Sequence, residues 1–313
     1  MLKYVIINDS CMDLPKEERA LYQIEKPIPG SVNFPDGSDH LADIDWEETS
    51  YEDFYHDLDN KHSNYRTGLP NQYLIMERIK SYFEKGQDVI AITLSSNMSG
   101  TYNAFLLAKE ELEKEYKGRK LLVVDSRRYS AGISLLSIYA SINREKGLSI
   151  EENVEDLENK KLRIHQIGIL DNLFFLHRSG RISKAKAFFG NLAGVKPMAD
   201  FCNETGMPAV LANARGYKSA YKYIEEFIKA TIGNPEDKIF VITQSIREPQ
   251  AEEIKKRILG INPNAKVIIS RMSQSNGVNV GPGLAATFYL ADENVSINCE
   301  KEKEILLDII GKK

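Results

Sequence analysis

The sequence predicts an α/β protein of two lobes: an N-terminal doubly wound parallel sheet over residues 1–160 and a C-terminal α+β lobe with a mixed sheet over residues 161–313. Three observations predict it. At 313 residues the chain exceeds the size, roughly 250–300 residues, at which one hydrophobic core stops growing. Short β-branched runs alternate with helical periods in the first half, which implies right-handed crossovers and a parallel sheet covered on both faces. The second half instead carries two apolar runs flanking a turn, the mark of an antiparallel hairpin.

In chain order, residues 4–7, 89–94 and 121–125 read as strands. Tyr73, Met76, Ile79, Lys80 and Phe83 recur near helical spacing after an Asn71 cap, and Gly86 supplies a stop. A second helix spans about residues 99–116. Residues 24–45, rich in Pro, Gly and Asp, read as a small strand excursion with a turn at Asp36-Gly37. After Gly147 and an acidic helix at residues 150–160, a new strand at residues 163–170 begins the second lobe. Residues 195–202 and 208–214 flank Glu204-Thr205-Gly206 as the hairpin, and strands at residues 238–243, 265–269 and 284–290 alternate with two helices.

Composition narrows the function. Apolar residues make up 42% of the chain, enough to fold throughout. A net charge of -4 leaves no electrostatic footprint for nucleic acid. The opening MLKYVIINDS reads as a strand and not as a signal peptide, so a cytoplasmic protein is expected. The uncharged run at residues 272–291 reaches membrane-spanning length but carries Asn, Ser, Gln and a Gly-Pro-Gly turn, which excludes a transmembrane helix. Cys11, Cys202 and Cys299, odd in number and far apart in sequence, suggest reduced thiols and neither a disulfide framework nor a zinc site.

In doubly wound sheets ligands bind beyond the carboxyl ends of the strands. Three strand-end loops there carry hydroxyls: residues 8–11, residues 94–101 and residues 125–128. In the second, Ser96, Ser99 and Gly100 stand where a helix begins, and free backbone N–H groups at such a point favour an anionic oxygen. A serine here can equally cap the helix. A hydrolase would need a base beside Ser99 or Ser10, and none of His40, His56, His62, His165 and His177 stands in a motif for it. Asp9 and Asp125, as isolated strand-end carboxylates, lack a clustered metal-ligand pattern, so no metal is expected. The chain carries neither a Gly-x-Gly-x-x-Gly after its first strand nor a Walker loop, which sets aside the usual nucleotide sites. The segment at residues 178–182 could bind phosphate through Arg178 and Arg181 or simply lead into a helix as a solvated turn.

Taken in order, YVIINDSCMDLP at 4–15, Pro35-Asp36-Gly37, Thr67 with Pro70, SSNMSGTYNA at 95–104, Val124-Asp125-Ser126, LFFLHRSGRISKAKAFFGNLAGVKPM at 173–198, Asn213-Ala214-Arg215-Gly216 and VGPG at 280–283 resemble the DegV family. That group includes the fatty-acid-binding subunits of bacterial fatty acid kinase. The resemblance covers essentially the whole chain. It implies a two-lobed non-catalytic carrier that encloses one long-chain fatty acid, uses no cofactor, and presents the carboxylate to a kinase catalytic subunit for acyl-phosphate formation. The partners it implies are the fatty acid, that subunit and, transiently, a membrane surface. Matched by position, Thr67, Ser99 and Asn279 would hold the carboxylate, with Ser96 and Gly100 in the same loop and Arg181 and Arg215 at the pocket edge or facing the kinase. Gly68, Ser179 and Asn279 depart from the family pattern, which has serine, glycine and histidine at these places. An amide at Asn279 still donates hydrogen bonds but carries no charge. The alternatives are a serine- or metal-dependent hydrolase of acyl esters and a lipid-sensing scaffold.

Overall fold

The computed structural model describes residues 3–60, 64–182, 194–234, 238–292 and 298–311, so His62 and residues 183–193 of the long motif, with Gly190, lie outside the described residues. The first half runs β1 (Tyr4–Asn8), α1 (Lys16–Leu21), β2 (Ser31–Asn33), β3 (Asp39–Leu41), α2 (Tyr51–Asp59), β4 (Arg66–Gly68), α3 (Gln72–Phe83), β5 (Asp88–Thr93), α4 (Thr101–Glu115), β6 (Leu121–Asp125), α5 (Ala131–Glu145) and α6 (Ile150–Lys161). The second half runs β7 (Ile164–Ile169), α7 (Phe174–Arg178), β8 (Val195–Cys202), β9 (Met207–Arg215), α8 (Gly216–Thr231), β10 (Ile239–Gln244), α9 (Glu248–Ile261), β11 (Lys266–Arg271), α10 (Gln274–Val280), β12 (Ala285–Leu290) and α11 (Cys299–Gly311).

Strands β1, β5 and β6 pair in parallel in that order. Because side chains alternate across a strand, Val5, Ile7, Val89 and Ala91 pack on Ile75, Ile79, Phe105 and Ala108 of α3 and α4. Tyr4, Ile6, Ile90 and Ile92 face the other way, toward α5. The fold class expected from the sequence is therefore the one observed, a parallel sheet with helices on both faces. Helix α6 lies beside α5, held at its start by Ser149, which accepts from the Glu152 N–H at 3.2 Å while the Glu152 carboxylate accepts from the Ser149 N–H at 2.8 Å.

The second sheet has the order β11-β10-β12-β7-β8-β9, with β10 and β11 parallel and the other pairs antiparallel. One face, with Val241, Ala286 and Phe288, joins the same core as α5. The other, with Ile167, Ile242 and Tyr289, is covered by Ile224, Phe227, Ile254 and Leu306 of α8, α9 and α11. The layers are thus helix, parallel sheet, helix, mixed sheet, helix. Strands β8 and β9 form the expected hairpin, bulged between Met198 and Ala199. Its tip reaches back to the first lobe: Ser95 donates to the Gly206 carbonyl at 2.7 Å and Asn97 to the Thr205 carbonyl at 2.7 Å. Gly206 has φ +59°, and a Cβ there would strike the Ser95 hydroxyl, so glycine is required on both counts.

Several local readings change. In α3 the buried positions are Ile75, Ile79, Tyr82 and Phe83, whereas Tyr73 is 67% exposed; the helix turns the Ile75 stripe inward and leaves the aromatic at its first turn in water. The excursion does pair β2 with β3, but β4, from beyond α2, adds to its other edge and carries Thr67 with it. The run at residues 272–291 divides into α10 and β12, and among the described residues no helix is long and apolar enough to cross a membrane.

Gly168 of β7 pairs with Ala286 of β12, and a Cβ at position 168 would collide with Ala286. We expect Gly168→Ala to cost about 1–3 kcal/mol through overpacking, read as a lower urea midpoint with an unchanged slope.

Candidate functional site

A cavity open to solvent lies where the strand-end loops of the parallel sheet meet β8, α7 and α10. Its walls are largely apolar, with Leu94, Met98, Leu170, Leu176 and Phe201 among them. Polar groups gather at two places. Thr67, Ser99, Asn279 and Arg181, all partly exposed, stand with buried Thr101 at the mouth. Tyr129, Gln166 and Asp200, all buried, line the interior. A mostly apolar lining with a few convergent polar groups suits a small-molecule ligand.

Asp9, at the end of β1, sets the spacing of the first two loops. Its Oδ1 accepts from the Cys11 N–H at 2.8 Å and its Oδ2 from the Leu94 N–H at 2.7 Å. Burial pushes the Asp9 carboxyl up, and those two N–H groups oppose the shift. Helix α10 docks on the same loop: the Ser275 hydroxyl donates to the Ser10 Oγ at 2.8 Å, and the Asn276 amide donates to the Cys11 carbonyl and to Asp13 Oδ2, each at 2.9 Å. Burial raises Asp13 to about 6 despite these donors, and it pushes the Cys11 thiol well above its ordinary range.

At the mouth, the Asn279 amide donates to Thr67 Oγ1 at 3.1 Å and to the carbonyl of Ser275, one turn back, at 3.0 Å. Both its N–H groups are thereby used. The Thr67 oxygen accepts, so its own proton is free to point at a ligand oxygen. Ser99 and Thr101 share a hydroxyl contact of 2.9 Å, and the Thr101 N–H donates to Ser99 Oγ at 3.3 Å just inside the start of α4. The set offers two or three hydroxyl protons, a helix start and the Arg181 guanidinium, which suits an anionic oxygen.

The structure therefore brings Thr67, Ser99, Asn279 and Arg181 to one cavity and leaves three other predicted residues off its lining. Ser96 gives its hydroxyl to Asp125 Oδ2 at 2.6 Å and its N–H to Oδ1 at 3.1 Å, which also explains Asp125. Gly100 is the exposed N-cap of α4. Arg215 ends β9 opposite Val195 and is exposed, so neither residue borders the cavity. Sequence reasoning missed Ser275, Asn276 and Gln166; the polar cluster inside the uncharged run at residues 272–291 was the available signal for the first two. Of the described histidines none lines the cavity: His165 is buried under α11, His177 lies at Ile182, His56 is in α2 and His40 is on exposed β3. Cys11, Cys202 and Cys299 are all free, and Cys202 and Cys299, distant in sequence, come together with Glu204 so that their ligand atoms lie within 4.8 Å of one another.

The model of the DegV family, a family described as uncharacterised, matches residues 3–292. A DegV domain-containing protein from Clostridium perfringens is 30% identical over 93% of this chain and 99% of its own length. The crystal structure of a DegV lipid-binding protein from Thermotoga maritima superposes with a TM-score of 0.78 at 25% identity, covering 93% of this chain and 99% of that one. A DegV family protein from Ruminococcus gnavus, refined with vaccenic acid, superposes with a TM-score of 0.80 at 25% identity, covering 92% of this chain and 100% of that one.

Asp9→Asn would turn an amide N–H₂ toward one of the two backbone N–H groups that the carboxylate now satisfies. The expected cost is about 1–3 kcal/mol, measured by denaturant unfolding.

Proposed function

We propose that this chain, which belongs to the DegV family, binds one long-chain fatty acid in the cytoplasm and presents its carboxylate to the catalytic subunit of a fatty acid kinase. It performs no chemistry itself in this reading; the acyl phosphate forms on the bound fatty acid when the partner supplies the phosphoryl group. The observation that carries the reading is the pairing of an apolar cavity with a mouth of hydroxyl, amide and guanidinium groups. The lipid-binding relative from Thermotoga maritima and the vaccenic acid held by the Ruminococcus gnavus protein support it.

The energetics favour a tail-driven carrier. Burying ~14 methylenes at ~0.8 kcal/mol each contributes at most ~11 kcal/mol before ordering costs. The polar mouth then sets orientation and spares the carboxylate an unsatisfied burial. Presentation to a kinase is supported by an open groove beside the mouth, lined by Arg66, Arg178 and Arg181 together with Thr67 and Asn279. Three guanidinium groups next to the acyl carboxylate are suited to an incoming phosphoryl group. A hydrolase would need a base at Ser99, where the neighbouring hydroxyl is Thr101.

Expressed in bacteria, the protein should copurify with about one fatty acid per chain, detected by native mass spectrometry and solvent extraction. Thr67→Ala and Ser99→Ala should each weaken fatty acid binding by about 1–3 kcal/mol, or roughly 5- to 150-fold in Kd, while the tail remains buried. An empty interior, or a nucleotide in place of lipid, would sink the proposal.

Asn279 is neutral at every accessible pH. Asn279→His should place a group of pKa near 6.5 beside Thr67, and its imidazolium should tighten carboxylate binding toward the acid end of the range from about 5.5 to 7.5. Asp13, at about 6, titrates in the same window in both proteins, so the quantity to compare is the difference between variant and wild-type profiles of fatty acid exchange. A difference that stays flat across the window would remove Asn279 from the carboxylate seat.

A further inference from the structure

Beneath α11, away from the mouth, three ionisable side chains converge in the protein interior. His165 of β7, Asp200 of β8 and Glu302 of α11 are each 1% exposed or less, and their ligand atoms all lie within 4.8 Å of one another. The His165 Nδ1 is 2.9 Å from Glu302 Oε1 and 3.8 Å from Asp200 Oδ2. The 2.9 Å approach lacks hydrogen-bond alignment: both ring nitrogens of His165, Oδ2 of Asp200 and both oxygens of Glu302 are buried without a hydrogen-bond partner. Each unsatisfied buried polar atom costs about 1–3 kcal/mol, and more when charged, and a proton shared by the two carboxyls would relieve only part of that cost because it leaves both ring nitrogens of His165 without a partner.

We propose that His165, Asp200 and Glu302 together bind one divalent first-row metal ion, of which Zn²⁺ best matches the ligand set. A metal held at about 2.0–2.2 Å by nitrogen and carboxylate oxygen in a tetrahedral arrangement keeps its ligand atoms roughly 3.3–3.6 Å apart. The observed 2.9 and 3.8 Å bracket that separation, so modest side-chain rotation suffices. Charge points the same way. The two carboxylates face one guanidinium, that of buried Arg128, which is already committed to the Phe201 carbonyl and the Asn203 side chain. A dication supplies the missing positive charge. Left to themselves the groups resist ionisation: burial holds the His165 imidazole down to about 4 and pushes Asp200 up to about 8 and Glu302 to about 7. The neutral imidazole is the ligating form. The ion would join β7, β8 and α11 on the face of the mixed sheet opposite to Ala199 and Phe201, which line the cavity.

The rivals are a pair of carboxyls that share protons and a thiolate site at Cys202, Glu204 and Cys299 nearby. The full chain, unfolded and refolded with Co²⁺, separates them. About one cobalt per chain is expected, with visible bands of a four-coordinate nitrogen and oxygen site and no sulfur-to-cobalt charge-transfer band. Glu302→Gln, close in size to the native residue, should lower metal affinity at least about tenfold, and the double variant Cys202→Ser, Cys299→Ser should retain it. Should Glu302→Gln fail to fold, the wild-type spectrum and the double variant still decide. Refolded wild-type protein that takes up no cobalt overturns the proposal, and so does a sulfur band that disappears with the two cysteines.

Discussion

The constraint on which the rest of the structure depends is the burial of α5. Twelve of its fifteen residues are buried, so it cannot lie on a surface. A helix apolar on every side must be covered on every side. Here the parallel sheet covers one face and the mixed sheet the other, and Ile133, Leu136 and Ile138 share one core with Ile90, Val241 and Phe288. The two lobes are therefore held by a common hydrophobic core across the element that joins them. The serines in this helix are satisfied without water: Ser137 accepts from the Asn8 amide at 2.9 Å, and Ser134 donates to the Asp13 carbonyl at 2.8 Å.

That arrangement also places the cavity. With α5 clamped between the sheets, the carboxyl ends of β1, β5 and β6 open toward β8 and α10, and the loops there must find partners across the gap. Asp13 is the meeting point. It accepts from Ser130 at the start of α5 at 2.5 Å, from the Ser273 N–H before α10 at 2.8 Å, and from Asn276 at 2.9 Å. Arg127 and the hairpin tip close the opposite side through the Asn203 carbonyl at 2.6 Å. What these contacts leave unfilled is a cleft with apolar walls, and its polar mouth lies where four segments end.

The first lobe's strands and the hairpin of the second were legible because each has a local signature: β-branched runs between helical periods, and Glu204-Thr205-Gly206 between two apolar runs. Helix α5 was not read, since its polar positions, Ser134, Ser137 and Ser141, are buried with the rest and do not mark a solvent face. The α3 face was misread at Tyr73 for a related reason, because an aromatic counts as apolar in a pattern whether it packs or lies on the surface. At the site, Ser99 and Thr67 could be placed by resemblance, yet Ser96, identical in chemistry and three residues away, could not be told from Ser99. The difference is a long-range one, the Asp125 carboxylate that takes the Ser96 hydroxyl. The His165, Asp200 and Glu302 cluster was invisible for the same reason, its members being brought together only by strand pairing and by the docking of α11.

The two polar regions of the cavity differ in a way that bears on what a carrier must do. At the mouth the groups are partly exposed and satisfy one another, Asn279 to Thr67 and Ser99 to Thr101, so the seat is stable before and after a ligand leaves. Each pair can turn a hydroxyl proton outward to a carboxylate and turn it back, at the cost of rotation about a single bond. In the interior the Gln166 amide donates to the Tyr129 hydroxyl at 3.3 Å, and both are buried. Exchange of an acyl ligand therefore needs adaptable donors at the head and a neutral, fixed surround at the tail. An isolated carboxylate beside methylenes would work against the second requirement, since desolvating a charge without a partner costs far more than the tail gains per methylene.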